Sequence, residues 1–266
     1  MDKLILVKIG GSLITDKNKP FTLKPQALTK IVAEIKKVFE TSKKKIIIGH
    51  GAGSFGHVVA HKYNTVNGAE DKKQILGMAE VAEAAIRLNR QVIKRLLACQ
   101  VPAVAVSALS SFYSHNKQFK SGFFKSLDKI LKLGGLPVVY GDVVLDEQIG
   151  CTIFSTEKVL AQIGQYFLKH KTYVIEKIIH CGQTIGVYDQ DGKTMPLINK
   201  QNFKKIKTSL NGSHGIDVTG GMIHKVEESL KLAQVGIPAL IIDGIEKGTL
   251  SQAVEGKKVP GTKVEW

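Results

Sequence analysis

Three glycine clusters define the chemistry open to this chain. Gly10-Gly11-Ser12 follows the apolar run 4–9, Gly51-Ala52-Gly53-Ser54-Phe55-Gly56 follows a second short apolar run, and Gly220-Gly221 opens a late amphipathic segment. Glycine lets the backbone approach a ligand closely, and the free N–H groups at the start of a helix present partial positive charge to an anion. Lysines stand beside two of the clusters, Lys8 and Lys17 around the first and Lys225 after the third. Together these residues describe a site for a polyphosphate.

The elements that must hold such a site can be read from the period of the apolar residues. Short β-branched runs alternate with amphipathic stretches, which predicts a largely parallel sheet covered by helices on both faces. Leu28, Ile31, Val32, Ile35, Val38 and Phe39 recur at helical spacing, and 45–48 then reads as a strand. A long helix is expected over 71–97, strands over 101–106 and 136–140, and a polar hairpin through 146–150. Further on, the pattern predicts a helix over 155–168, a strand over 172–179, a hairpin over 187–197 turning on Asp191-Gly192, a helix over 219–235, a strand over 239–242 and a closing strand near Trp266. No repeat or low-complexity linker marks a boundary, so the expectation is one domain, 1–266, with two lobes.

Composition narrows the function classes. A chain of 266 residues with 43% hydrophobic content can bury a large α/β core. The net charge of +15 is carried almost wholly by lysine, with Arg87, Arg90 and Arg95 the only arginines, and aromatics are 6%. That balance speaks against a nucleic-acid surface and suits a small anionic substrate. Cys99, Cys151 and Cys181 are odd in number and widely spaced, which predicts neither a disulfide framework nor a zinc site and fits a reducing cytoplasm. No apolar run reaches the length of a membrane span.

Two motifs are decoys. The second glycine cluster fits G-x-G-x-x-G, but 57–69 is too short to hold the helix and strand a dinucleotide fold needs before Glu70. Gly186 to Thr194 imitates a Walker A loop with five residues between its glycines instead of four, and its aspartates would repel phosphate. His61, His115 and His170 read as surface or packing residues, Arg87 and Arg90 as a solvated stripe, and Glu227 and Glu228 as helix surface. His50 reads as ordering the loop at a strand end.

Gly10-Gly11-Ser12 with Thr15-Asp16-Lys17, His50 to His57, and Asp217-Val218-Thr219-Gly220-Gly221-Met222-Ile223-His224-Lys225 together resemble the amino acid kinase superfamily. Within it the chain is similar to the isopentenyl phosphate kinases, most specifically through His57 at the end of the second glycine loop. The resemblance implies an open α/β/α sandwich with a mostly parallel central sheet. Its N-terminal part would bind a phosphorylated acceptor and its C-terminal part ATP with Mg2+. By matching positions, His57, Lys8 and Lys17 would be catalytic, with Asp16 orienting Lys17. Lys8, Gly10, Gly11, Ser12, Gly53, Gln183, Gly221 and Lys225 would bind ATP. Ala52, Gly53, His57 and Thr156 would bind the acceptor phosphate, and the long helix carrying Met78, Val81, Ala82, Ala85 and Ile86 would wall its isoprenoid tail, with Ala82 and Ile86 as contacts and bulk at Ala82 or Ala85 expected to shorten the accepted chain. No protein-held metal ligands are expected. The resemblance further implies a homodimer.

Three positions depart from the family pattern. Gly182-Gln183-Thr184-Ile185-Gly186 stands where Thr-Asp-Val-Asp-Gly is common, Ser155-Thr156-Glu157 where Ser-Gly-Asp is usual, and Ala52 in place of a glycine. The sequence therefore implies ATP-dependent phosphorylation of isopentenyl phosphate first. It leaves open a kinase of another phosphate or phosphonate, such as a longer isoprenyl phosphate or a fosfomycin-type acceptor, and a non-catalytic nucleotide sensor. Retention of His57, Lys8 and Lys17 together argues against a sensor.

Overall fold

The computed structural model describes residues 1–212 and 220–266. The chain opens with β1 (Lys3–Ile9), a single helical turn α1 (Gly11–Ile14), α2 (Pro25–Thr41), β2 (Lys45–His50), α3 (Gly53–Tyr63) and α4 (Lys72–Ala98). Next come β3 (Ala103–Ala105), α5 (Ala108–Ser111), β4 (Phe112–His115), β5 (Gln118–Gly122), α6 (Lys125–Lys132), β6 (Leu136–Tyr140), β7 (Asp142–Asp146) and β8 (Gly150–Phe154). The remainder is α7 (Thr156–Lys169), β9 (Val174–Gly182), β10 (Leu197–Ile198), α8 (Lys200–Gly212), α9 (Gly220–Gln234), β11 (Ala239–Asp243), α10 (Thr249–Glu255) and β12 (Thr262–Val264).

The main sheet has the order β10-β12-β11-β9-β1-β2-β6-β3 and is parallel from β11 to β3, with β12 antiparallel to β11. Side chains alternate across it. Leu4, Leu6, Ile47, Val139, Ile178 and Ile241 face Leu160, Ile163, Val226 and Leu230 from α7 and α9. On the opposite face Ile5, Val7, Ile9, Ile48 and Ile179 meet Leu28, Ile31, Leu88, Val92 and Val254 from α2, α4 and α10. This is the expected α/β/α sandwich. Each face is buried by the apolar stripe of its helices.

Side-chain caps mark the starts of α4 and α7. Asp71 and Gln74 form a reciprocal capping box at the head of α4, with Gln74 N–H donating to Asp71 Oδ1 at 2.7 Å. Ser155 accepts from Lys158 N–H to begin α7.

The second sheet, ordered β5-β4-β7-β8, was only half anticipated. The 146–150 hairpin joins β7 and β8 as expected, but α5, β4, β5 and α6 occupy a stretch whose exposed β5 carries no clear alternation. The 187–197 hairpin is reduced to one bridge, Tyr188 to Thr194, with Gly192 in left-handed backbone at its turn. The expected helix 219–235 is α9, and the Asp217-Val218-Thr219 part of its motif lies outside the described residues.

Because β1, β2 and β9 run parallel, their C-terminal ends deliver Gly10, Gly51 and Gln183 to one rim, beside the point where strand order reverses about β1. Two of these turns touch through backbone alone. A Cβ on Gly11 would lie 2.5 Å from Gly53 N, and one on Gly51 would lie 2.8 Å from Gly11 N. Gly11→Ala should therefore cost about 1–3 kcal/mol through overpacking that has only backbone to displace. A urea midpoint equal to that of the parent chain would contradict this contact.

Candidate active site

At this rim lies a cleft of about 530 Å³, within the range of ligand sites. It is lined by Lys8, Gly10, Gly11, Ser12 and Lys17 from the first glycine turn and by Ala52, Gly53, Gly56 and His57 from the second. Gln183, Met222, His224 and Lys225 close the C-terminal side, and Val58, Ala60, Val81, Ala85 and Ile153 form an apolar arm. One end of the cleft is cationic and rich in backbone N–H groups. The other is apolar.

Lys8 continues the Leu4–Leu6 alternation and so leaves the sheet on the α7 side, where it is almost buried. Its Nζ is 2.7 Å from Glu157 Oε1 in the first turn of α7. Burial alone would raise the Glu157 carboxyl, but the charge and hydrogen bond of Lys8 outweigh it and hold it at about 2. An ammonium in this position needs a counter-charge, and Glu157 supplies it while fixing its direction.

Thr15 locks the two touching turns. Its hydroxyl donates to Gly11 O at 2.8 Å and accepts Ser54 N–H at 3.0 Å. Gly53, at φ +52°, occupies backbone that suits glycine, and a side chain there would strike Thr15 Oγ1. His57 lies four residues on, one turn along the same face of α3. It opens to the cleft. The cleft walls and the nearby cations Lys8 and Lys17 hold its imidazole below the ordinary value, so it is poised as a neutral N–H donor. His50 is fully buried behind this turn, stacked on Tyr140 at 5.5 Å and hydrogen-bonded to Asn89 and Gly51 O. It orders the loop, as expected, and stays outside the cleft.

Several expected roles change. Asp16 does not orient Lys17: its carboxylate accepts Asn18 N–H at 3.0 Å and shapes the turn. The Thr156 hydroxyl is committed to His50 O at 2.7 Å, so only its backbone N–H at the head of α7 can face a phosphate. Ala82 and Ile86 do not wall the tail arm. Ala82 is buried in the helix packing and Ile86 turns 38% of its surface to solvent, while Val81 and Ala85, one position earlier on each turn, form the wall. The Ala52 methyl lies over Gly56, where a second Cβ would come within 2.6 Å of it. Gly221 lies in the first turn of α9, and Lys225, one turn on, brings its Nζ close to Gly182 at the end of β9. Gln183 is exposed on the rim at the end of β9 and lines the cleft.

Glu228, expected as helix surface, lines the cleft, although Lys231 already holds it at 2.6 Å. Asp142 and His180 were passed over in the sequence; Asp142 lines the cleft and accepts from Ser107 Oγ at 2.9 Å. His180 pairs in register with Lys8 across β1 and β9, accepts or donates at Nε2 with Ser229 Oγ, and leaves Nδ1 without a partner among the described residues. Its signal was available in the sequence as an imidazole in the middle of a buried strand.

A parallel-sheet sandwich with a cationic glycine-turn cleft at the strand ends is the architecture of a phosphoryl-transferring class, and the family comparison agrees. The amino acid kinase family model matches residues 3–243, and the chain belongs to that family. It is 31% identical to the isopentenyl phosphate kinase of Methanocaldococcus jannaschii, with 99% of each chain covered. It is 30% identical to that of Methanothermobacter thermautotrophicus, with 98% of each covered. A solved isopentenyl phosphate kinase structure superposes with a TM-score of 0.80 at 28% identity, covering 98% of this chain and 99% of that one. Among the described residues no helix is long and apolar enough to cross a membrane.

Burial holds His50 at about 4, and burial with the nearby Lys225 and Lys8 holds His180 at about 3, both against an ordinary 6.5. The unfolded chain therefore takes up protons that the folded chain refuses. This contribution to stability is whole above pH 6.5 and is lost as pH falls through about 4 and 3. In His180→Gln, urea midpoints followed from pH 7 to 4 should fall less steeply than in the parent chain. An equal slope would contradict the neutral burial of His180.

Proposed function

We propose that this chain transfers the γ-phosphoryl group of Mg-ATP to isopentenyl phosphate, giving isopentenyl diphosphate and ADP. The observation that carries this reading is a single cleft in which Lys8, Lys17, Lys225 and His57 stand at one end and an apolar arm extends from the other. A phosphate monoester with a short hydrocarbon tail matches both ends. Its second pKa is about 6, so near neutral pH it is already a dianion and needs no general base. The remaining task is to bring two anions together and neutralise their charge.

On this reading the C-terminal part of the one domain, with Gln183, Gly221 and Lys225, holds the nucleotide, and the N-terminal part holds the acceptor. Backbone N–H groups of Gly11, Ser12 and Gly53 face the transferring phosphates, whereas the Gly10 N–H, expected to join them, is spent on Cys181 O at 2.9 Å and ties the turn to β9. His57 donates a hydrogen bond to the acceptor phosphate and holds it in line, with Ala52 beside it and the Thr156 N–H as a further donor. Lys8, aimed by Glu157, contacts the transferring group, and Lys17 reaches the β- and γ-phosphates. An acceptor oxygen bonds to the γ-phosphorus as the β–γ bridge breaks, and the electron pair leaves with ADP.

Magnesium enters with the nucleotide as part of Mg-ATP and neutralises phosphate charge when bound. Among the described residues no group of three His, Cys, Asp or Glu is placed to hold a resident ion, and Glu157 and Glu228 are engaged by Lys8 and Lys231. Such an ion suits bound phosphates with few protein ligands. A homodimer working in the cytoplasm belongs to the same reading.

ADP release should be measured with isopentenyl, dimethylallyl and geranyl phosphate, fosfomycin and unphosphorylated controls. Turnover restricted to the isoprenyl phosphates is expected. Turnover on fosfomycin alone, or on none, would overturn the acceptor assignment. His57→Ala should lower kcat by roughly 10² or more with ATP still bound, while His57→Gln, which keeps an N–H donor, should retain much more activity. Equal loss in both variants would show that a titrating imidazole is required.

Ala85→Phe fills the apolar arm and should shift preference toward the shortest acceptor, whereas Ala82→Ser should leave the preference unchanged. Identical chain-length profiles for Ala85→Phe and the parent chain would remove the arm from the acceptor site.

A further inference from the structure

Lys17 is given a direct role on the phosphates, yet among the described residues no hydrogen bond or ion pair holds its ammonium in place. Its position is set by the segment that carries it. The chain from Thr15 to Leu23 doubles back on itself through a Thr15–Leu23 bridge and an Asp16 N–H to Thr22 O bond of 2.9 Å. The base is tied down by Lys24, whose N–H donates to Ile14 O and whose Nζ donates to Ser12 O. These bonds fix the root of the loop. Within the turn Asn18 N–H donates to Asp16 Oδ1 and Lys19 N–H to Asp16 O, so Lys17 sits on a small bonded turn whose place against the cleft is set where the loop meets its neighbours.

One residue near the tip is bound to something outside the loop. Phe21 N–H donates to Ser54 O at 3.3 Å, and its ring meets Phe55 edge to face with centroids 5.7 Å apart. The Arg87 guanidinium from α4 stands 5.1 Å from the Phe21 centroid and 6.0 Å from that of Phe55, within reach of a cation–π contact with each. Glu83, one turn back on α4, lies 3.7 Å from Arg87 Nε. Arg87 is thus no idle member of a solvated stripe.

The backbone makes the same point from another side. Phe21 has φ +52°, in the left-handed region that a bulky residue rarely adopts without compensating contacts. Its ring is not paid for by core burial, since 38% of the residue is exposed. What compensates is the clamp: Ser54 and Phe55 lie in the same first turn of α3 as Gly53, three and two residues before His57 respectively.

We propose that Phe21, clamped between Phe55 and Arg87, is a positioning residue that fixes the Lys17 loop onto α3 and so sets the spacing between Lys17 on the nucleotide side and His57 on the acceptor side. Phe21 touches no substrate. It acts through Lys17, and the proposal rests on the phosphoryl-transfer reading of that lysine.

The test is a double-mutant cycle in the full-length protein, with kcat and the KM of each substrate measured for Phe21→Ala, Lys17→Ala and the pair. Misplacing a charge-stabilising group by about 1 Å can cost up to 10²-fold, so Phe21→Ala should lower kcat at least about tenfold while the acceptor KM moves by less than about threefold. In the Lys17→Ala background the same substitution should cost almost nothing. Phe21→Tyr should restore turnover. Phe21→Gly, which suits the left-handed backbone but lacks the ring, should be as slow as Phe21→Ala, and Arg87→Gln should lose kcat in the same direction. Normal kcat in Phe21→Ala, rescue by Phe21→Gly, or an undiminished loss in the Lys17→Ala background would overturn the clamp. Full activity of Lys17→Ala would instead overturn the role given to Lys17, a failure that the first corner of the cycle reads by itself.

Discussion

The contact on which the rest of the site depends is between two backbones. Gly11 at the end of β1 and Gly51 to Gly53 at the end of β2 approach so closely that no side chain fits between them, and the Thr15 hydroxyl bridges them by bonding Gly11 O and Ser54 N–H. Parallel strands deliver their C-terminal ends to the same rim in any doubly wound sheet. Here the glycines let two adjacent ends merge into one surface. Once they merge, the start of α3 is fixed relative to β1. Gly53 and His57 then face the strand end that carries Lys8.

Charge is the second constraint, and it is handled unequally across the cleft. Lys8 is nearly buried, so it is paired with Glu157 at 2.7 Å. The gain in stability from such a pair is small, because desolvation offsets the attraction, but a buried ammonium with one good partner has one direction to point. Lys17 is exposed and is placed by its loop. The rim loop at Gln183 and Ile185 carries no acid, and of the carboxylates that line the cleft Glu157 is paired with Lys8 and Glu228 with Lys231. Lys8, Lys17 and Lys225 keep that end of the cleft cationic.

How much of this was legible in the sequence follows from which interactions are local. The sandwich and the glycine turns could be read because strand and helix periods are properties of neighbouring residues, whereas the grouping of Lys8, Lys17 and His57 came from the family resemblance. The flank of α4 that faces the cleft could be read only in part, since Ala85 stood among the expected wall residues together with Ala82 and Ile86. Val81 and Ala85 differ from Ala82 and Ile86 by a single step of about 100° around the helix, and only the packing of α4 against α3 and β7 chooses between them. The Thr156 hydroxyl bonds across 106 residues to His50 O, and Arg87 meets Phe21 from a distant helix. Nothing at those positions announces such partners. The second sheet escaped because β5 is short and largely exposed, so its alternation is not imposed by a buried face.

These separations divide the work of the molecule. The apolar arm is built from α3, α4 and β8, through Val58, Val81, Ala85 and Ile153, whereas the C-terminal side of the cleft is built from the end of β9 and the start of α9. The two halves are joined at the rim by the touching glycine turns and by the short loop that returns from β1 to α2. A change in the volume of the arm can therefore alter which tail fits without moving Lys8 or its partner. A change in the glycine turns cannot be confined in that way, because the same backbone contact sets the place of His57 for the acceptor and the path of the chain toward Lys17. The volume of the arm lies in side chains that can be exchanged, whereas the joined turns depend on backbone geometry that leaves no room for one.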